Sequence, residues 1–139
     1  REMRTLITAL FMMCMYLPNH AQKLSDLPQK EREAYLIKKA KEIYKEKEWK
    51  EFYREFGEPE IQQVRMVMDT PKSINTYSDS KKGDIYYKVI FRYDESKEEM
   101  EEDYAAKVII RDRDGKAVAI ELGSTIGVVL RNKQGEVGR

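Results

Sequence analysis

The sequence predicts an α+β domain in which an amino-terminal helix packs on a four- to five-stranded antiparallel meander. Two observations predict this class. Residues 28–56 are rich in Glu, Lys and Ala and contain no internal Gly or Pro, which is typical of a helix. After residue 59 the apolar side chains recur at every second position, the period of strands with one buried face. A length of 139 residues suits one such domain and is short for two.

The first 21 residues have the order of a secretory signal peptide. A short basic start precedes a twelve-residue apolar run, Leu6–Leu17, and a proline follows it. We expect cleavage between Ala21 and Gln22, which leaves a single domain at residues 22–139. The sequence therefore predicts an exported protein, periplasmic or extracellular.

The same apolar run is too short to favour a permanent membrane span. A twelve-residue helix is about 18 Å long, against about 30 Å for the hydrocarbon core of a bilayer. Two alternatives remain open at this point. The signal could be retained as a membrane tether, or the run could be a buried helix of the domain itself.

The predicted helix carries two apolar stripes. Ser25 or Asp26 can cap its start, and Gly57 with Pro59 ends it. At about 100° per residue the two stripes lie roughly 160° apart around the axis. Either the chain bends within residues 45–48 and forms two helices, or one helix is sandwiched between two layers. The first stripe is Leu36, Ile37, Ala40, Ile43 and Tyr44, and the second is Trp49, Phe52, Tyr53 and Phe56.

Five alternating runs predict the strands of the sheet. A single apolar face in each run indicates an antiparallel sheet that the helix covers on one side. The Asp114-Gly115 pair predicts a tight hairpin, and residues 71–83 predict a longer polar loop. The runs are residues 61–68, 85–93, 104–112, 118–122 and 126–130.

The composition excludes most familiar catalytic centres. Cys14 and His20 are the single cysteine and histidine, and both lie in the predicted signal. Residues 22–139 therefore lack the side chains of Ser-His-Asp triads, Cys-His dyads and His-based zinc sites, and the domain must fold without disulfides. Two of the 26 basic and one of the 25 acidic residues precede residue 22, so the domain has no net charge. We predict no enzymatic activity, no catalytic or metal-binding residue and no cofactor.

The charged residues indicate solvated surface. Asp112 is the one acidic residue at a predicted core position of a strand. Asp94–Asp103 holds seven carboxylates, and whether this acidic segment binds calcium stays open at this point. Basic and acidic side chains alternate between Lys30 and Arg54, which favours pairing along the helix over a nucleic-acid interface. We predict no nucleic-acid partner, and the sequence does not indicate an oligomeric state.

Aromatic residues supply the candidate binding site. Aromatic rings with polar tips can line a ligand cleft between helix and sheet, and they can equally fill the core. We therefore predict a non-catalytic exported module that binds a small ligand or an envelope protein, through an aromatic cleft or an exposed strand edge. The candidate residues are Trp49, Phe52, Tyr53, Tyr87, Tyr93 and Tyr104.

The pattern of residues 28–131 resembles the cystatin-like and NTF2-like folds of small periplasmic proteins. Cystatins carry a Gln-x-Val-x-Gly loop, and residues 62–66 match its first two fixed positions but have Met66 where the glycine stands. The resemblance to NTF2-like proteins implies an alternative function, a small enzyme that uses a buried Asp or Tyr. Fold alone confers neither activity.

Overall fold

The computed structural model describes residues 23–124 and 127–130, which contain one α-helix and five strands. The predicted signal peptide and its Ala21-Gln22 cleavage site lie outside the described residues. Each strand pairs antiparallel with the next along the chain, in the order β1-β2-β3-β4-β5. The predicted α+β class is confirmed. The elements are α1 (Gln29–Tyr44), β1 (Glu60–Arg65), β2 (Ile85–Phe91), β3 (Ala106–Arg111), β4 (Ala117–Leu122) and β5 (Gly127–Val129).

The helix is shorter than predicted, and the prediction of helix as far as Phe56 is wrong. The chain leaves the helical conformation at Lys45 and forms a separate 3-10 turn over Lys50–Phe52. Because the chain turns back here, Trp49 and Tyr53 pack on the same core that α1 covers. Two members of the second stripe, Trp49 and Tyr53, thus reach the core through a bend, whereas Phe52 and Phe56 are exposed. The bend matches one of the two alternatives, but the second helix of that alternative is only a 3-10 turn. Among the described residues, no helix is both long and apolar enough to cross a membrane.

The main core lies between α1 and one face of the sheet. Leu36, Ala40, Ile43 and Tyr44 are the buried residues of the helix. They pack against alternate residues of the central strands, as the period of two predicts. The strand residues of this core include Tyr87, Val89, Phe91, Val108, Ile110, Ile120 and Leu122.

The opposite face of the sheet is also partly covered, which the sequence did not predict. Tyr86, Ile109 and Ala119 form a second buried cluster, and Tyr77 packs on it from the loop between β1 and β2. The Tyr77 and Tyr86 rings meet edge to face at 4.8 Å. The loop predicted as polar therefore contributes a small core of its own.

Candidate functional site

The aromatic residues predicted to bind a ligand lie in separate places. Trp49 and Tyr53 pack on the core below α1. The centroid of the Tyr53 ring lies 4.6 Å from that of Tyr44 and 6.0 Å from that of Phe91. Phe52, in the same turn, is 39% exposed. The structure thus places two of these rings in the core and one at the surface.

Hydrogen bonds to Tyr44 hold this turn in place. The Tyr44 hydroxyl donates to the carbonyl of Phe52 at 2.6 Å and accepts the backbone N–H of Arg54 at 3.1 Å. Burial, only partly offset by the Arg54 N–H, raises the pKa of Tyr44 to about 12. Within the described residues, the buried Nε1 of Trp49 has no hydrogen-bond partner. The two Tyr44 hydrogen bonds thus hold the Lys50–Phe52 turn against the end of α1.

Tyr87, the third residue of β2, belongs to the main core, and its hydroxyl takes part in a separate hydrogen-bond network. Its hydroxyl donates to Oδ1 of Asp112 at 2.8 Å. The same carboxylate accepts the backbone N–H of Ser25 at 2.8 Å and its hydroxyl at 2.9 Å. Burial, and then the hydrogen bond to Asp112, raise the pKa of Tyr87.

Asp112 is therefore a buried carboxylate facing a phenol, the pair that the predicted enzyme alternative would need. Asp112 is 4% exposed, and both of its carboxylate oxygens accept hydrogen bonds. The backbone of Asp112 also accepts the N–H of Leu24 and donates to Ile85. These hydrogen bonds hold the segment before α1 against the sheet. Because Asp112 accepts a hydrogen bond from each of these donors, its arrangement is that of a structural anchor.

Tyr93 and Tyr104 lie near the other end of β2. The Tyr93 hydroxyl donates to the carbonyl of Glu102 at 2.9 Å and accepts the N–H of Met100 at 3.1 Å. The Lys107 ammonium sits 4.3 Å from the centroid of the Tyr104 ring. Tyr93 lies six residues after Tyr87 and two residues beyond the end of β2, so the two rings lie toward opposite ends of that strand. The structure does not bring the six predicted residues into one cleft.

The acidic segment Asp94–Asp103 makes specific ion pairs with arginines. Glu98 accepts two hydrogen bonds from Arg54, at 2.8 and 3.2 Å. Arg92 lies 3.3 Å from the Asp103 carboxylate and also pairs with Glu60. Among the described residues, no three acidic side chains converge on a position that could hold a metal ion.

Strand β1 forms one edge of the sheet and pairs with β2 alone among the described strands. Met66, directly after β1, donates its backbone N–H to Asp84 and accepts that of Gly83, so its polar backbone groups point toward β2. These groups alternate in direction along an antiparallel strand. Those of Ile61, Gln63 and Arg65 therefore point away from the sheet.

Two surface depressions adjoin the hairpin between β3 and β4. The larger has a volume of about 210 Å³ and lies between this hairpin and the loop before β2. The smaller, about 160 Å³, lies beside Ser25 and Asp112. Arg111 and Arg113 line both. None of the six predicted aromatic residues lines either depression.

Comparison of the chain with protein-family models, curated proteins and solved structures finds no match. The resemblance to cystatin-like and NTF2-like folds stays a prediction.

Sequence reasoning missed the basic residues around the depressions. Arg111, Arg113 and Lys116 flank the Asp114-Gly115 pair, so the predicted hairpin could have placed them at one tip. Lys72, about forty residues earlier in the chain, reaches the same depression through the packing of a loop. The alternation of apolar residues along strands does not predict the contact between this loop and the β3–β4 hairpin.

Proposed function

We propose that this protein is a non-catalytic exported domain that binds a protein partner along the free edge of β1. The partner would add an extended segment to the sheet, with main-chain hydrogen bonds for affinity and side-chain contacts for specificity. The backbone N–H and C=O groups of Ile61, Gln63 and Arg65 support this proposal. They point outward from β1, and no described strand pairs with that side.

The edge of β1 lacks the features that usually prevent strand addition. Edge strands are commonly protected by Pro, Lys, a bulge or an inward-facing charge. Strand β1 contains no Pro or Lys, and its register with β2 is continuous over all six residues. Its two charged residues stand at its ends, and Glu60 is already paired with Arg92 at 2.8 Å. The centre of the edge, Gln62-Gln63, is neutral and exposed.

Exposed apolar residues extend this edge. Val67 and Met68, which follow β1, are 77% and 64% exposed. Phe56, four residues before the strand, is 55% exposed. These exposed apolar side chains thus flank the two ends of β1. A partner segment longer than β1 would pack on these side chains as well as on the backbone.

Export supports a partner in the cell envelope. Residues 1–21 carry the signal-peptide pattern, and residues 22–139 contain no Cys, so the domain has no thiol that an oxidising compartment could oxidise. Amino-terminal sequencing of exported protein should recover Gln22 as the first residue. Recovery from the membrane fraction of protein that retains residues 1–21 would contradict a cleaved, freely soluble protein.

Site-specific photocrosslinking tests the partner directly. We would place a photoreactive residue at position 63 of the full chain, expressed in its native host, and identify the adduct by mass spectrometry. The identified partner segment, added as a synthetic peptide to the purified protein, should slow amide exchange at Ile61, Gln63 and Arg65. Slowing at these three positions is the expected signature of strand addition.

The matched control places the same group at position 47, on the exposed turn after α1. Adducts that are the same from positions 47 and 63 would contradict the proposal. An adduct with twice the mass of the chain would overturn a foreign partner and identify a second copy as the occupant. A peptide that binds without slowing exchange at the three amides would contradict strand addition.

A further inference from the structure

The larger depression beside the β3–β4 hairpin has an excess of positive charge. Among the described residues, its charged lining consists of four cations, Lys72, Arg111, Arg113 and Lys116, and one carboxylate, Asp79. Arg111 is neutralised by Asp114, with hydrogen bonds of 3.1 and 2.7 Å. Three cations then face a single carboxylate.

The remaining cations are available to a ligand. Within the part of the chain that the structure describes, Arg113 makes only long contacts, 3.4 Å to the carbonyl of Asp79 and 3.9 Å to the carboxylate of Asp84. Among the described residues, Lys72 and Lys116 form no ion pair. An exposed guanidinium with two ammonium groups nearby offers both a planar fork and point charges to an anion.

Buried contacts hold the loop wall of the depression. The buried Ser80 bonds through its hydroxyl to that of Tyr86 at 2.7 Å, and its carbonyl accepts the N–H of Thr70 at 2.8 Å. These bonds close the loop that carries Lys72 and Asp79 and fix it to the second face of the sheet. A wall that is already ordered lowers the entropic cost of binding.

The hairpin wall is fixed from the helix side. The Tyr35 hydroxyl on α1 donates to the carbonyl of Gly115 at 2.8 Å. Gly115 has a φ of +71°, and Tyr35 lies where a side chain at this position would project. The backbone at the tip of the hairpin, next to Lys116, is thus fastened to α1.

The size and charge of the depression select a small dianion. About 210 Å³ holds about seven waters, and it is smaller than the roughly 300–1,000 Å³ of sites for drug-sized ligands. We propose that this depression binds a phosphate group, either inorganic phosphate or a small soluble phosphate monoester. The site is separate from the β1 edge and does not depend on the proposed partner.

Calorimetric titration of the full chain with inorganic phosphate tests the site. We expect one binding site, and at least about a tenfold loss of affinity in Arg113→Gln, because the one flexible guanidinium fork is removed. Lys47→Gln makes the same change of charge on an exposed turn outside the depression and should leave the affinity unchanged. Chloride at the same ionic strength should not compete.

Asp79→Asn should strengthen phosphate binding, a result that unfolding of the variant would not produce. Asp79 has a φ of +58°, a conformation that Asn also tolerates, so the loop should keep its shape. Removing this carboxylate should tighten phosphate binding about threefold or more. Thermal unfolding of each variant verifies that it is folded before titration.

The source of the phosphate is separated by two further probes. Glycerol phosphate should bind in the same way as inorganic phosphate. Phosphatidylcholine vesicles that contain phosphatidic acid should retain the wild-type protein and Arg113→Gln equally. Retention that depends on Arg113, without binding of inorganic phosphate, would overturn the proposal in favour of a lipid surface. Absence of phosphate binding, or equal losses in Arg113→Gln and Lys47→Gln, would also overturn it.

Discussion

Asp112 connects three parts of the chain that lie far apart in sequence. Its carboxylate accepts hydrogen bonds from Ser25, before α1, and from Tyr87, on β2. Burying a carboxylate is costly unless its oxygens are satisfied, and here both are. The alternation of apolar residues places Asp112 on the core face of a strand. The structure shows that its carboxylate accepts hydrogen bonds from Ser25 and Tyr87 there.

The Asp112 anchor predicts unequal losses of stability in two variants. Asp112→Ala leaves the buried Tyr87 hydroxyl and the Ser25 N–H without an acceptor and should lower the free energy of unfolding by about 3 kcal/mol. Tyr87→Phe removes one of three donors and should cost about 1 kcal/mol. Urea denaturation measures both. Equal losses in the two variants would contradict an anchor centred on the carboxylate.

The pair of Arg111 and Asp114 gives a second, pH-dependent prediction. Burial alone would raise the pKa of Asp114, but hydrogen bonds from Arg111 and from the Lys116 N–H outweigh burial and hold that pKa below its usual 3.8. A lowered pKa in the folded state means that the ionised pair stabilises the fold above about pH 3.8. The contribution is lost as the pH falls through the folded-state value.

Asp114→Asn should therefore lower the free energy of unfolding by about 1 kcal/mol at neutral pH. Its difference from the wild type should shrink as the solution is acidified below the usual pKa of Asp. Glu99→Gln, at an exposed position, serves as control and should change little at either pH. A difference that grows on acidification would show that the pair does not act as described.

Among the elements, α1 shows where a sequence pattern stops being informative. Composition predicts helix up to Phe56, yet the helix ends at Tyr44 because tertiary contacts override local preference. The hydroxyl of Tyr44 bonds to the backbone at Phe52 and Arg54, which draws the chain back across the helix end. Only the angle between the two apolar stripes foretold the bend.

The strands were predicted more closely, since alternation is a direct consequence of strand geometry. The Asp114-Gly115 pair lies between β3 and β4, with Gly115 in the left-handed conformation that favours glycine. Alternation gives the face of a residue but not its neighbours at the sheet ends. For that reason Tyr87 and Tyr93 were grouped together although the structure separates them by most of the length of β2.

Strand β1 makes a prediction with an internal control. Gln62 directs its N–H toward β2, whereas Gln63 directs its N–H outward. Gln62→Pro removes a ladder hydrogen bond and should cost at least about 2 kcal/mol more stability than Gln63→Pro, whose missing donor faces solvent. Thermal unfolding compares the two. A greater loss of stability in Gln63→Pro would show that the N–H of Gln63, not that of Gln62, points toward β2.

At the scale of the whole molecule, the two ends of the sheet carry different surfaces. The acidic segment lies where β2 ends and β3 begins, and the cationic depression lies at the opposite end, beside the β3–β4 hairpin. Charge totals conceal this separation, because the chain as a whole has a net charge of +1. The depression depends on a loop packing against a hairpin, a long-range contact that composition does not encode.

Amide hydrogen exchange of the purified full chain tests whether the outer edge of β1 is free to pair. We would follow Ile61, Gln62, Gln63, Val64 and Arg65 individually by NMR. The structure predicts an alternating pattern, in which Ile61, Gln63 and Arg65 exchange rapidly while Gln62 and Val64 are protected. Uniform protection of all five amides would show that the edge is already occupied, and would contradict its availability to a partner.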